Sequence, residues 1–296
     1  MQFGGIEAGG TKFVCGIGTE GGEILDRFVT PTTEPDETLE RVIHFFKRSG
    51  EKDSLLGIGL ATFGPIDLNP KSETYGYITS TPKKRWQNFN IKGELERALD
   101  FEIPFDTDVN GAVLAEHLWG GAKDIMNAVY ITVGTGIGGG VMVNGELVHG
   151  LLHPEMGHMR LRGSSSSTDF KGICPFHEYC LEGLASGPAI EARWGQPAVE
   201  LEPTHPAWTT EAEYLAEGIV NIILLLSPER IILGGGVMQQ EFLFPMIRDK
   251  VQHLLNDYIH KPVILEYIDR YIIPPKLGNQ AGLLGAIALA VKQKRI

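Results

Sequence analysis

Two glycine-rich turns, one in each half of the chain, constrain the fold more than any other feature of the sequence. The first, at 7–12 (EAGGTK), leads into a β-like run at 13–17, and the second, at 134–140 (GTGIGGG), joins runs at 128–133 and 141–143. P-loop and dinucleotide motifs place a helix after their glycines, whereas a strand follows here. Although glycine turns are common in β-hairpins generally, this pair favours a duplicated unit with both hairpins facing one cleft.

The rest of the chain alternates between patterns typical of helices and of strands. Helices are predicted at 37–47, 111–119, 209–226, 239–255 and 278–291, and strands at 55–62, 101–105, 230–233 and 271–273. Residues 164–168 are predicted to form a mobile loop. Such alternation predicts an α/β protein, and 296 residues suffice for two domains.

Composition excludes several classes of function. A formal net charge of -11 argues against a nucleic-acid surface. The N-terminus lacks the basic and apolar segments of a signal peptide, and the longest aliphatic run, 219–226, is too short to span a membrane. With three cysteines, two of them placed like metal ligands, the expected location is the reducing cytoplasm.

The stretch 153–187 contains a compact group of potential metal ligands. Cys174, His177 and Cys180 follow a Cys-x2-His-x2-Cys spacing, and either His158 or His153 could supply a fourth ligand. Zinc binds four thiolate or imidazole ligands tetrahedrally, so the stretch predicts a structural zinc site. The alternative is two unpaired thiols near an unrelated histidine.

Two carboxylates lie among these ligands. Glu155 precedes His158 by three residues, and Glu182 follows Cys180 by two. Carboxylates accept strong hydrogen bonds from hydroxyl groups, so a metal-ordered loop that presents them is suited to a polyhydroxylated molecule. Taken singly, each could equally be a solvated surface glutamate.

The order and spacing of these motifs resemble the ROK family of sugar kinases and repressors, most closely its bacterial fructokinases. The first turn resembles the phosphate-1 turn of the family, 134–140 its phosphate-2 turn, and 234–236 (GGG) its adenosine turn. Residues 155–158 (EMGH) fit its E-x-G-H signature, whose histidine ligates zinc, and Thr81-Pro82-Lys83 with Trp86 resembles the fructokinase subgroup.

The resemblance implies an actin-like, ribonuclease-H-type α/β fold with two domains around a cleft. Domain one is expected at 1–110, joined by the closing helix at 283–296, and domain two, with the zinc-stapled sugar loop, at 111–282. A homodimer is also expected. Because the chain begins directly at the first strand, without the helix-turn-helix of the repressors, a kinase is expected.

The resemblance also implies the cofactors and the residues of the site. ATP, Mg²⁺ and Zn²⁺ are expected. The ATP contacts are Gly9, Gly10, Thr11, Lys12, Thr135, Gly136, Gly234, Gly235 and Gly236, with an exposed strand lysine as the alternative reading of Lys12. The sugar contacts are Gly64, Pro65, Asn110, Glu155, His158 and Glu182. The zinc ligands are His158, Cys174, His177 and Cys180.

Asp108 stands where the family has its catalytic base, and it is expected to take the proton of a sugar hydroxyl. A plain helix N-cap is the alternative. The chain departs from the family at Thr107, which replaces an asparagine, and at Glu7, which replaces an aspartate. Glu7 is therefore the candidate for a water-mediated magnesium contact. The expected reaction is phosphorylation of fructose; the alternatives are glucose, mannose or an amino sugar, or a non-catalytic sugar-sensing regulator.

Overall fold

The computed structural model describes residues 1–48, 55–81, 83–162 and 170–295, so Pro82 and the loop predicted at 164–168 lie outside it. The chain forms two compact units. The first contains residues 1–124, 146–154 and the segment from 276 onward, and the second contains 125–145 and 155–275. Among the described residues, no helix has both the length and the apolar character needed to cross a bilayer.

The strands are β1 (Gln2–Ala8), β2 (Lys12–Thr19), β3 (Ile24–Pro31), β4 (Leu55–Thr62), β5 (Phe105–Thr107), β6 (Ala128–Val133), β7 (Ile137–Val143), β8 (Glu146–Leu147), β9 (Arg230–Gly234) and β10 (Ile272–Ile273). The helices are α1 (Pro35–Arg48), α2 (Ile91–Leu99), α3 (Asp108–Trp119), α4 (Leu181–Ala185), α5 (Gly187–Trp194), α6 (Ala207–Leu226), α7 (Leu243–Leu255), α8 (Pro262–Leu265) and α9 (Ala281–Arg295).

The first unit is built on a five-stranded sheet in the order β3-β2-β1-β4-β5. Strands β1 and β2 form an antiparallel hairpin, and β1, β4 and β5 run parallel. Because successive side chains of a strand point to opposite faces, Phe13 packs in the core that contains α1 and α2, whereas Val14 packs against α3 and α9. A Cβ on Gly59 would lie 2.0 Å from the carbonyl oxygen of Ala286, so only glycine lets α9 pack this closely.

The second unit repeats this arrangement of strands. Strands β6 and β7 form an antiparallel hairpin, β6 pairs in parallel with β9, and β9 pairs in parallel with β10. The order β7-β6-β9-β10 therefore corresponds to β2-β1-β4-β5 of the first unit. Both predicted glycine hairpins are confirmed, and the repeated pairing agrees with a duplicated unit.

Some predicted boundaries differ from those in the structure. The strand predicted at 101–105 lies instead at Phe105–Thr107, because Pro104 has no N–H to donate to a neighbouring strand. Helix α7 begins at Leu243 rather than 239, after a 3-10 turn at Val237–Gln239. The compact units also differ from the predicted domains 1–110 and 111–282, because α3 packs against α9 and belongs to the first unit.

Candidate active site and metal site

In the second unit, four potential metal ligands converge. His158 ends a 3-10 turn, and Cys180 is the N-cap of α4, where its sulfur accepts the N–H of Gly183 at 3.3 Å. The ligand atoms of His158, Cys174, His177 and Cys180 all lie within 4.8 Å of one another. The chain has therefore gathered a Cys2His2 donor set from the 3-10 turn that ends at His158 and from the segment 174–180.

The spacing of these atoms can be compared with that of a zinc site. Bonds of about 2.3 Å to sulfur and about 2.0 Å to nitrogen separate a sulfur and a nitrogen ligand by about 3.5 Å in a tetrahedron. Cys174 Sγ lies 3.8 Å from His158 Nδ1 and 3.7 Å from His177 Nδ1, and Cys180 Sγ lies 3.8 Å from His158 Nδ1. The residues therefore fit zinc.

The choice between the two upstream histidines follows from the fold. His158 is in the cluster, whereas His153 lies in the first unit, where its Nε2 accepts the N–H of Ile66 at 3.2 Å. Burial raises the pKa of the Cys180 thiol to about 11 in the metal-free protein. Since zinc binds the thiolate, metal binding should release a proton from this residue.

The predicted sugar carboxylates have different surroundings. Glu182 Oε2 accepts the N–H of Ile137 at 2.8 Å, and its Oε1 lies 3.9 Å from His158 Nε2, so Glu182 joins the metal cluster to the start of β7. Glu155 is exposed at the start of the 3-10 turn, where its carbonyl accepts the N–H of His158 at 3.0 Å. That Glu155 and Glu182 contact the sugar remains a prediction.

The two glycine turns of the second unit, at 134–136 and 234–236, lie in close contact with neighbouring backbone atoms. Gly134 N donates to Gly136 O at 2.9 Å, and Gly134 O accepts the N–H of Gly187 at 2.8 Å, which leaves Thr135 exposed at the tip. At the turn after β9, Gly235 has a φ of +93°, and a Cβ there would lie 2.3 Å from Val133 O. Glycine is required at this position for both reasons.

The glycine turn of the first unit presents N–H groups. Thr32 donates its hydroxyl to Gly9 O at 2.7 Å and its N–H to Thr11 O at 2.9 Å, while Lys12 O accepts from Gly9 N at 3.0 Å. Within the described part of the chain, no hydrogen bond engages the N–H of Gly10 or Thr11. With the carbonyls of Gly9 and Thr11 occupied and these donors available, the turn can bind an anion.

Lys83 lies over this turn. The stem of its side chain packs on Gly10, because a Cβ at Gly10 would lie 2.9 Å from Lys83 Cε. The segment is anchored by the buried Trp86, whose indole N–H donates to Thr33 O at 2.9 Å. Lys12, the lysine considered from the sequence, is exposed at the first residue of β2. The sequence associated Lys83 only with the fructokinase subgroup and did not indicate its position.

Asp108 lies at the first turn of α3, but it is not the cap of the helix. The N-cap is Thr107, whose hydroxyl accepts the N–H of Asn110 at 3.1 Å. Burial raises the pKa of Asp108 to about 6, and the side chain keeps some contact with solvent. Such a carboxylate is well matched to a general base near neutral pH.

Glu7 is the charged neighbour of Asp108. Burial, together with the charge of Asp108, raises the pKa of Glu7 to about 7. A carboxylate whose proton affinity is raised by burial and by the negative charge of a second carboxylate forms a favourable environment for a cation. Carboxylate oxygen atoms are also the donors that Mg²⁺ prefers. The residues therefore fit the expected magnesium contact.

Two further residues near Asp108 were missed by sequence reasoning. Asp106 accepts a hydrogen bond from the side chain of Asn110 at 2.8 Å, and it pairs with His149 Nε2 at 2.8 Å. Asp106 and His149 are separated by 43 residues, and no local pattern links them. The sugar contacts predicted at Gly64 and Pro65 lie in the turn just before Ile66, whose N–H is bonded to His153.

Comparison with known proteins shows the family of the chain. Residues 3–293 match the sequence model of the ROK family. The chain belongs to the ROK family. A fructokinase of Lactococcus lactis subsp. cremoris is 45% identical over 98% of this chain and 97% of its own length. A fructokinase of Pediococcus pentosaceus is 43% identical over 98% of each.

A solved ROK structure supports the same assignment. The ROK hexokinase from Thermus thermophilus superposes with a TM-score of 0.80 at 28% identity, covering 100% of this chain and 99% of the hexokinase. The predicted class, an actin-like ATPase fold of α/β units, is therefore confirmed.

Proposed function

We propose that this protein is an ATP-dependent fructokinase, which transfers the terminal phosphoryl group of ATP to D-fructose and forms ADP and D-fructose 6-phosphate. The observation that carries the proposal is its similarity, along nearly the whole chain, to fructokinases at 43% and 45% identity. The raised pKa of Asp108 and the glycine turns of both units support the same chemistry.

In the proposed mechanism, Asp108 is the general base. Its carboxylate accepts the proton of the 6-hydroxyl as that oxygen attacks the terminal phosphorus of ATP. A pKa of about 6 keeps the carboxylate ionised at neutral pH and still basic enough to attract the proton. Phosphoryl transfer depends mainly on positioning and on neutralising charge, which the remaining residues provide.

The phosphates of ATP are assigned to the glycine turns. In the first unit, the N–H groups of Gly10 and Thr11 donate to phosphate oxygens, with Gly9 shaping the turn and Lys12 and Lys83 adding positive charge. In the second unit, Thr135 and Gly136 contact phosphate, while 234–236 approach the adenosine. Nucleotide-bound Mg²⁺ would supply further charge neutralisation, with Glu7 contacting it through water.

The residues proposed to contact the sugar are Gly64, Pro65, Asn110, Glu155, His158 and Glu182. Zinc would be held by His158 Nδ1, Cys174, His177 and Cys180 in a structural role, because all four positions of the tetrahedron are then occupied by protein. The bound metal would hold Glu155 and Glu182 in place, and His158 Nε2 lies 3.9 Å from Glu182 Oε1.

We place the protein in the cytoplasm as a homodimer. A reducing compartment keeps Cys174 and Cys180 available as zinc ligands. Helix α6 ends in exposed leucines, with Leu225 83% exposed, and such apolar surface favours association of two copies. Light scattering should give twice the chain mass of 32.4 kDa, and a monomer at micromolar concentration would contradict this part of the proposal.

A coupled ADP-release assay across a panel of hexoses tests the proposal. Fructose should give the highest kcat/KM, ahead of glucose, mannose and amino sugars. A clear preference for one of the others would make the protein a different sugar kinase with the same chemistry. Binding of ADP and sugar without any turnover would instead indicate a sugar-sensing regulator.

A further inference from the structure

A short loop of the first unit carries two histidines, four residues apart, that hold two separate segments of that unit. We call residues 149–153 (HGLLH) the histidine strap. At its start, His149 Nε2 lies 2.8 Å from Asp106 Oδ2. Asp106 is only 3% exposed, and its other oxygen accepts the side-chain N–H of Asn110 at 2.8 Å and the N–H of Thr107 at 2.7 Å. Both oxygens of this buried carboxylate are therefore engaged.

The end of the strap holds a different segment. His153 is 7% exposed, and its Nε2 accepts the N–H of Ile66 at 3.2 Å. Its ring also packs on Gly64, because a Cβ there would lie 3.3 Å from His153 Cε1. A nitrogen that accepts a hydrogen bond belongs to a neutral imidazole, and burial lowers the pKa of His153 accordingly.

The leucines between the two histidines do not fix the strap. Leu151 is 97% exposed and Leu152 is 50% exposed, and within the loop Gly150 N donates to Leu152 O at 2.9 Å. The two histidines are therefore the polar side chains that attach the strap to the rest of the first unit. The segments they hold contain Gly64, Pro65 and Asn110, which are the sugar contacts assigned to this unit.

We infer that the histidine strap positions the fructose-binding residues of the first unit, with His149 acting through Asp106 on the side chain of Asn110. This inference rests on the proposed function. The chemical reason is that Asn110 can contact a sugar hydroxyl productively only in one orientation of its amide. Its N–H donates to Asp106, and the bond from His149 keeps that carboxylate in place. His149 is thus a positioning residue for the sugar and has no part in nucleotide binding.

The test replaces His149, whose side chain is 40% exposed and therefore tolerates truncation. His149→Ala should raise the fructose KM about tenfold, because it removes a hydrogen bond to the charged carboxylate of Asp106, with the ATP KM and the zinc content unchanged. His149→Gln, which keeps an N–H donor near Asp106, should recover most of the affinity. His44→Ala is the matched control, since His44 is an exposed histidine on α1 of the same unit.

Each outcome decides between the possibilities. An unchanged fructose KM in His149→Ala, or an equal rise in the fructose and ATP KM, would overturn the inference while the proposed function stands. Failure of His149→Gln to improve on His149→Ala would also overturn it. If the wild type binds fructose by calorimetry without releasing ADP, the proposed function fails, and the fructose dissociation constants of wild type and His149→Ala decide the inference.

Discussion

Replacing Asp108 by asparagine should lower the activity of the protein and raise its stability. The exchange preserves size and shape, and an asparagine oxygen can still accept the N–H of Val109, which Asp108 Oδ1 accepts at 2.9 Å. Since the N-cap of α3 is Thr107, the helix keeps its cap. The variant therefore removes the ionisable group and little else.

The size of the stability gain follows from the pKa. Burial raises the pKa of Asp108 from 3.8 to about 6. Each pKa unit is worth about 1.4 kcal/mol, so ionised Asp108 lowers the free energy of unfolding by at most about 3 kcal/mol. The folded state binds this proton more tightly than the unfolded state. The stability of the wild type should therefore fall as pH rises from 3.8 towards 6, and the loss is complete above 6.

Asparagine does not titrate, so its effect depends on pH. At about pH 8 the variant should be more stable than the wild type by up to about 3 kcal/mol, and at about pH 3 the two should be nearly equal. Loss of a general base typically lowers kcat by about 10²–10⁴-fold. In the wild type, kcat/KM for fructose should fall below about pH 6 as Asp108 is protonated, and this decline should be absent from the variant.

Urea denaturation at both pH values and steady-state ADP release measure these quantities. Asp249→Asn, which alters an exposed carboxylate on α7, is the control and should change neither the free energy of unfolding nor kcat. If Asp108→Asn keeps more than about a tenth of the wild-type kcat with chemistry rate-limiting, Asp108 is not the base. Equal stability of wild type and variant at about pH 8 would refute the energetic argument.

Three further predictions concern the metal, the sugar and the nucleotide. Cys174→Ser should abolish the binding of about one zinc per chain, whereas Cys15→Ala, at a buried cysteine outside the cluster, should keep the metal. The prediction is contradicted if elemental analysis finds no zinc in active wild-type protein that was never exposed to a chelator. Glu155→Ala should raise the fructose KM about ten- to a hundredfold by removing a charge-assisted hydrogen bond, while Glu178→Ala, at an exposed glutamate of the same segment, should leave the fructose KM unchanged. A raised ATP KM with an unchanged fructose KM would mean that Glu155 does not contact the sugar. Lys83→Met should raise the ATP KM or lower kcat by about tenfold or more, and Lys84→Met, at the neighbouring exposed lysine, should have little effect. Equal effects of the two variants would mean that Lys83 contributes only to the positive charge of the surface and makes no specific contact with phosphate.

Much of the framework could be predicted from the sequence because it depends on residues close together in the chain. The hairpins at 9–11 and 134–136 require glycine locally, and the strands and helices have their own hydrophobic periods. The Cys-x2-His-x2-Cys spacing likewise brings three zinc ligands together within one short segment, whatever the rest of the fold. Local signals nevertheless misplaced β5, because pairing starts only after Pro104.

The remaining features of the site depended on tertiary structure, because they involve residues that are distant in the chain. His153 and His158 were equivalent by spacing, and only the fold puts His158 among the cysteines and His153 on Ile66. The pairing of Asp106 with His149, the position of Lys83 over Gly10, and the burial that raises the pKa of Asp108 all arise from long-range packing. The sequence by itself thus determined which chemical groups are available, whereas packing decided which of them meet and how strongly each holds its proton, since both depend on neighbours that the chain order does not specify.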